Sequence, residues 1–208
     1  MPNWCANNVT FHHPNPREIS RINEAFYTKG GLFAEFFPCP EELLEHTAPE
    51  NDEDRAALFT EKYGAPDWYH WSLKNWGTKW DVSGEGEQPQ ELDEDATEIH
   101  LSFDTAWAPP CDFYEKMKDL GFTIKGFYHE PGMSFVGCWD DGEDDYCEYA
   151  PASSDDIRDH VPDYIVDHFD LESQLAEQEE WASEDEDYET LGSGMDSEDE
   201  DDPKTDLN

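Results

Sequence analysis

The segment from residue 67 to residue 81, DWYHWSLKNWGTKWD, combines the residue types that bind ligands by stacking and by cation–π contact. It holds four of the chain's eight tryptophans, together with the basic residues Lys74 and Lys79. Two interpretations are open. The indoles form a core, because large aromatic side chains dominate core packing, or Trp76, Lys79 and Trp80 stay partly exposed and bind a base, a sugar or a peptide.

A second candidate group lies in FDTAWAPP at 103–110, which carries Asp104 and Trp107 at the end of a predicted strand. Asp104 is placed either to act as an acid, base or metal ligand, or to accept backbone N–H bonds in the turn. An enzyme acting on a nucleotide or small ligand would draw acid–base groups from Asp104, His100 and Lys79.

Motifs that specify catalysis or cofactor binding are missing from the sequence. There is no phosphate-binding loop, dinucleotide fingerprint, nucleophile elbow or zinc-protease motif, and the five cysteines form no C-x-x-C pair. We therefore predict no catalytic residues, no metal and no cofactor, and a protein that is not an enzyme.

Acidic residues dominate the C-terminal part of the chain. Residues 131–208 hold 28 acidic and 2 basic residues, a net of −26 within a total of −41. Such a field repels nucleic acid and suits a basic partner, because phosphate binding depends on Lys and Arg. Closely spaced carboxylates either imitate a phosphate backbone or only keep the chain soluble. The candidate binding positions in this part are Asp185, Glu186, Asp187, Glu198, Asp199, Glu200, Asp201 and Asp202.

The elements that must position these groups follow from hydrophobic periodicity. Alternation predicts strands at 5–12, 98–105, 122–130 and 133–139, and 3.6-residue spacing predicts helices at 16–28 and after Pro109-Pro110. The order is β–α–insert–β–α–β–β, which predicts an α+β fold. The arrangement is a ferredoxin-like antiparallel sheet with helices on one face.

Composition divides the chain into three parts. Residues 1–150 form the predicted α+β domain, with a helical and aromatic insertion at 38–95. An acidic helical extension follows at 151–182, with a helix expected despite Pro162. Residues 183–208 have too few apolar side chains to fold alone and are predicted to be a disordered acidic tail. No signal peptide or transmembrane run is seen, which predicts a cytoplasmic protein without membrane contact.

Five short segments resemble the Api-type phage and plasmid proteins, which carry a domain of unknown function described as ferredoxin-like. They are MPNWC at the start, FFPCPEEL at 36–43, DWYHWSLKNWGTKWD at 67–81, FDTAWAPP at 103–110 and YHEPGMSFVG at 128–137. The resemblance spans roughly residues 1–150. It implies a ferredoxin-like fold and an accessory protein of a phage or mobile element inside a bacterial host, but no reaction.

Together these features predict a protein that acts by binding another protein. The expected partner is a host or phage protein. The candidate is a basic protein that handles nucleic acid or defends the host, and the acidic, DNA-mimicking surface would inhibit it. Direct binding of nucleic acid is not expected. The alternative is an enzyme or binding module for a nucleotide or small ligand at residues 67–80.

Overall fold

An antiparallel sheet of six strands forms the centre of the computed structural model, which describes residues 3–84 and 86–192, with side chains up to residue 183. The order along the sheet is β2-β1-β3-β4-β5, and β6 also pairs with β4. The strands are β1 (Trp4–His12), β2 (Glu98–Ala106), β3 (Thr123–Glu130), β4 (Phe135–Asp140), β5 (Glu143–Asp144) and β6 (Cys147–Glu148). The chain is therefore α+β, as its periodicity predicts.

Helices fill the connections between strands and follow the last one. They are α1 (Pro16–Glu24, continued by a π-helical turn at Ala25–Lys29), α2 (Leu32–Phe36), α3 (Glu41–Leu44), α4 (Glu53–Tyr63), α5 (Trp68–Trp76), α6 (Cys111–Asp119), α7 (Ile157–His160), α8 (Asp163–Phe169) and α9 (Leu171–Gly192). The predicted insertion at 38–95 thus contains three short helices, α3, α4 and α5.

The main core lies between one face of the sheet and helices α1 to α6. Val9 and Phe11 of β1 and Ile99 and Leu101 of β2 point to this face, as strict alternation requires. The helices contribute side chains at helical spacing, with Ile19, Ile22, Phe113, Tyr114 and Met117 fully buried. These predicted strands and helices are confirmed.

Part of the opposite face of the sheet, over β3 and β4, is also covered. Val136 and Cys138 alternate along β4 with residues of the main core, and they pack against Ile157, Ile165 and other apolar residues of α7 and α8. The prediction of helices on one face only is therefore wrong. The first part of the extension predicted at 151–182 forms a second layer because its apolar side chains meet the outer side of β3 and β4.

Pro162 interrupts this second layer. The sequence predicts one helix here, but the chain is extended at Val161 and divides into α7 and α8. Proline lacks the N–H that a helix interior needs, so it lies immediately before the first residue of α8. Helix α9 then runs through Gly192, beyond the tail start predicted at 183, and residues 193–208 lie outside the described part of the chain.

The connection between β2 and β3 is a split β-α-β unit. Both strands pair antiparallel with β1 and flank it, so they run parallel to each other, and α6 joins them. Strands β1 and β2 are direct antiparallel neighbours, although α1 and the insertion separate them in sequence. One split unit of the ferredoxin-like pattern is present, and the assignment to that fold stays a prediction.

Candidate functional site: a tryptophan patch around Lys79

Helix α5 determines where two of the four tryptophans in the aromatic segment lie. Asp67 caps its first turn, with the Oδ1 atom accepting the N–H of His70 at 2.9 Å. Trp71 and Trp76 face the core, and the Trp76 Nε1–H donates to the carbonyl of Phe37 at 3.0 Å. Trp76, a predicted binding residue, is therefore a core residue, and the 6% of its surface that is exposed lies in a depression that it lines with Lys79 and Trp80.

The chain leaves the core at the end of this helix. Gly77 has φ 82°, in the left-handed region, and an added Cβ would lie 3.2 Å from backbone atoms of Pro109, Cys111 and Asp112. Four residues later Asp81 accepts the N–H groups of Phe33 and Ala34 at 2.7 and 2.8 Å. These contacts fix the direction of the intervening segment, which carries Lys79 and Trp80 to the surface.

Three tryptophans from distant parts of the sequence meet there. Trp4, Trp80 and Trp107, which we call the tryptophan patch, remain 49, 40 and 42% exposed. The ring centroids of Trp4 and Trp80 are 6.1 Å apart, and those of Trp80 and Trp107 are 6.4 Å apart in a stacked arrangement. Contiguous exposed aromatic surface of this kind marks an interaction site more often than isolated apolar residues do.

Lys79 lies against this patch. Its Nζ is 4.4 Å from the ring centroid of Trp80, 5.3 Å from Trp107, 5.8 Å from Tyr69 and 6.0 Å from Trp68. These are cation–π distances. Within the described residues its ammonium forms no salt bridge, although most other basic side chains there hold a carboxylate. The ammonium therefore keeps its N–H donors free for water or a ligand.

Trp107 is held in a costly backbone conformation. Its φ is 68°, a region that a bulky L-residue rarely adopts, and its N–H donates to the carbonyl of Asn3 at 2.9 Å. Strain of this kind concentrates at functional sites. The chain accepts it at the position that places an indole beside Lys79.

Replacing Trp107 by glycine and by alanine separates the backbone from the ring. Both changes remove the indole, but only glycine adopts a positive φ without cost. We expect Trp107→Gly to be more stable than Trp107→Ala by about 1 kcal/mol, measured as the free energy of unfolding in urea. Equal stabilities would show that the backbone at residue 107 is not strained.

Depressions adjoin the patch on the Lys79 side and along β2. A cavity of about 330 Å³ is lined by Ala48, Pro49, Trp68, Tyr69, His70, Lys79 and Trp107. A longer groove of about 480 Å³, the edge groove, lies between the 80–84 segment and residues 102–106 of β2. Asp104 is exposed and lines this groove, and among the described residues its carboxylate accepts none of the turn N–H bonds that the sequence suggests.

The three residues that an enzyme would use for acid–base chemistry, Asp104, His100 and Lys79, make separate contacts. His100 contacts the Thr10 hydroxyl at 2.7 Å and Glu98 at 3.1 Å, while Lys79 lies among the rings and Asp104 lines the edge groove. Among the described residues, no group of three or more His, Cys, Asp or Glu side chains is arranged to hold a metal ion. The geometry assigns these three residues no shared reaction.

The cysteines are held as thiols. Burial raises the pKa of Cys5 to about 12 and that of Cys39 and Cys138 to about 11, and it also raises the pKa of Cys111 and Cys147. Because the thiolate is the nucleophile, the buried thiols of Cys5, Cys39 and Cys138 react slowly near neutral pH.

Thiol reactivity gives a direct check of this burial. At pH 8 we expect Cys5, Cys39 and Cys138 to react with a disulfide reagent about 100-fold more slowly in the folded protein than in urea. The urea-unfolded chain should release five equivalents of the coloured thiolate. Rapid reaction of all five thiols in the folded state would contradict the structure.

The acidic candidates are placed only in part. Asp185, Glu186 and Asp187 lie on α9, and their side chains are outside the description, whereas Glu198 to Asp202 lie beyond the described residues. Three of the described acidic side chains nearby share one arginine. Arg158 binds Asp163, Asp167 and Glu172 at 2.7 to 3.2 Å.

Sequence reasoning missed Trp4, and it included Trp68 and Tyr69 only as part of the segment 67–80, without choosing them as individual binding residues. Trp4 is recognisable only through strand register, because it pairs with Ala106 next to Trp107. Trp68 and Tyr69 lie in the first turn of α5 and face Lys79 after the chain reverses at Gly77. Three separate segments of the sequence, around Trp4, Trp80 and Trp107, therefore meet in one place.

Comparison with known proteins adds no assignment, since no family profile, curated protein or solved structure matches this chain. In the described part of the chain, no helix is long and apolar enough to cross a bilayer.

Proposed function

We propose that this protein is a non-enzymatic binding protein of a phage or other mobile element, acting in the cytoplasm of a bacterial host. It engages a basic partner protein, of the kind that handles nucleic acid or defends the host, through the tryptophan patch within an acidic surface. A ferredoxin-like relationship belongs to this proposal, and the split β2-α6-β3 unit supports it.

One observation carries the proposal. Trp4, Trp80 and Trp107 come from three separate segments and form a continuous exposed surface. Tryptophan is enriched among the residues that dominate protein–protein binding energies. The strained φ of Trp107 also supports a binding role, because packing alone does not require an exposed indole there.

Charge supports the choice of partner. Glu87 and Asp104, both exposed, line the edge groove next to the patch, and the whole chain has a formal net charge of −41. Such a field accelerates encounter with a basic surface and opposes binding of nucleic acid. A partner that normally receives DNA or RNA has the complementary charge.

A second candidate function has its own support. The cavity of about 330 Å³ has mainly apolar and aromatic walls, and Lys79 supplies an ammonium without a carboxylate partner among the described residues. Those features suit a small anionic ligand with a planar ring, such as a nucleotide, stacked on Trp107 or Trp68. Direct titration with mononucleotides distinguishes this candidate.

The test of the leading proposal is capture of proteins from bacterial lysate by the tagged full chain. We expect basic, nucleic-acid-binding proteins to be retained at about 50 mM salt, weakened at about 200 mM, and released by added duplex DNA. Mass spectrometry identifies them. Retention of proteins that are not basic, or retention that DNA leaves unchanged, would contradict the proposal.

A further inference from the structure

In the part of the chain that the structure describes, strand β2 pairs only with β1 and forms one edge of the sheet. The backbone hydrogen bonds that flank this pairing run from His13 N–H to the Thr97 carbonyl and from Trp107 N–H to the Asn3 carbonyl. In an antiparallel ladder the bonded residues alternate along the strand. The odd-numbered residues of β2 therefore bond to β1, and the even-numbered residues direct their N–H and C=O groups outward.

Side chains occupy both ends of this edge. The Gln90 Nε2–H donates to the carbonyl of His100 at 2.6 Å, and the Thr78 hydroxyl donates to the carbonyl of Ala106 at 3.0 Å. Between them lie the outward N–H and C=O groups of Ser102 and Asp104. Among the described residues, none of these four groups has a hydrogen-bond partner.

The edge groove follows these four groups. Its far wall is the 80–84 segment, which is itself anchored by bonds from Leu32 N–H to the Val82 carbonyl and from Gly84 N–H to the Phe26 carbonyl. Trp4 and Trp80 line the same groove. A fixed wall, an open strand edge and an aromatic lining are the elements that strand-addition sites use.

We propose that the edge groove binds one extended, basic segment of the partner protein by adding it as a strand beside β2. The segment donates to and accepts from Ser102 and Asp104, and its cationic side chains lie beside Asp104 and Glu87. This inference rests on the proposed function and names the form in which the partner is recognised.

Electrostatics favour a basic segment of the partner over a second copy of the chain or the chain's own C-terminal part. A second copy of the chain, paired edge to edge, would bring Glu98 and Asp104 of both strands together, and like charges across a strand pair are destabilising. The chain's own acidic C-terminal part meets the same repulsion. A lysine- or arginine-bearing segment gains from both carboxylates of the groove.

The test uses the full chain and a blocked heptapeptide of alternating lysine and valine, with a matched peptide in which every backbone amide is N-methylated. Both peptides have the same charge, but the methylated one has no backbone N–H to donate to β2. We expect the unmethylated peptide to bind at least 10-fold more tightly in calorimetry. It should also slow hydrogen exchange at the amides of Ser102 and Asp104.

Two variants locate the site. Ser102→Pro removes an outward N–H that β1 does not use, whereas Ser102→Ala keeps that N–H and serves as the control. We expect Ser102→Pro to weaken the peptide at least 10-fold and Ser102→Ala to leave binding unchanged, with circular dichroism confirming that both variants are folded. Exchange protection in the unsubstituted protein tests the site even if the proline variant does not fold.

Several outcomes would overturn strand addition. They are equal binding of the two peptides, absence of binding by the unmethylated peptide, or slow exchange at Ser102 and Asp104 in a dimer without peptide. Each of them leaves the proposed function to be judged separately, by DNA-sensitive capture of basic proteins. If that capture is lost while the unmethylated peptide still binds tightly and the methylated one does not, the proposed function would be rejected. Strand addition in the edge groove would then stand on its own.

Discussion

Removing two rings of the tryptophan patch, in Trp80→Ala/Trp107→Ala, is expected to weaken binding of the captured partner about 100-fold or more. Truncation of a central interface tryptophan costs about 2 kcal/mol or more, which is roughly 30-fold. The two effects will not add fully because the rings are stacked, with centroids 6.4 Å apart. Isothermal titration of the purified partner against the variant measures the loss.

Trp181→Ala is the matched control for this experiment. Trp181 is 71% exposed on α9, so its removal deletes the same side chain without changing charge or touching the patch. We expect it to bind like the unsubstituted chain. Equal affinity of the double variant and the control would show that the patch does not contribute to binding.

Removal of residues 151–208 is expected to abolish cooperative folding. The deletion exposes Val136 and Cys138 and takes away the apolar side chains buried over them, namely Ile157, Val161, Ile165, Val166 and Leu171. Burial of each such side chain contributes about 1.5–3 kcal/mol, so the five contribute on the order of 10 kcal/mol. A domain's whole stability is about 5–15 kcal/mol. Thermal unfolding followed by near-ultraviolet circular dichroism measures the effect.

A shorter truncation, ending the chain at Gly192, provides the comparison. It keeps the second layer intact and is expected to preserve the midpoint of thermal unfolding. If the long truncation unfolds at the same temperature as the full chain, residues 157–171 do not belong to the folded unit. This experiment also separates the stability of the protein from any binding by its most acidic part.

Strands in which apolar and polar side chains alternate were predictable from the sequence. Val9 and Phe11 alternate in β1, Ile99 and Leu101 do so in β2, and the structure places all four in one core. The second layer was not predicted, because Val136 and Cys138 stand between apolar neighbours and give β4 no polar face. A strand buried on both sides has no alternation from which its covered face could be read.

The residue types of the site were predictable from the sequence, but their arrangement in space was not. Of the residues singled out from the sequence, Trp80 and Trp107 are exposed, Lys79 is half-buried and Trp76 is buried. The difference depends on Gly77, where the left-handed turn ends α5 and redirects the chain, and a pattern of tryptophans does not encode that direction. Trp4 entered the site through strand pairing with Ala106, a contact between residues about a hundred positions apart.

The central claim is that this protein works by contact through the tryptophan patch and the adjoining groove. Hydrogen exchange of the protein bound to its captured partner tests this most directly. We predict slowed exchange in 78–84 and 102–108, with little change in α4 and α9. Protection confined to α9, with the patch exchanging as in the free protein, would contradict the claim.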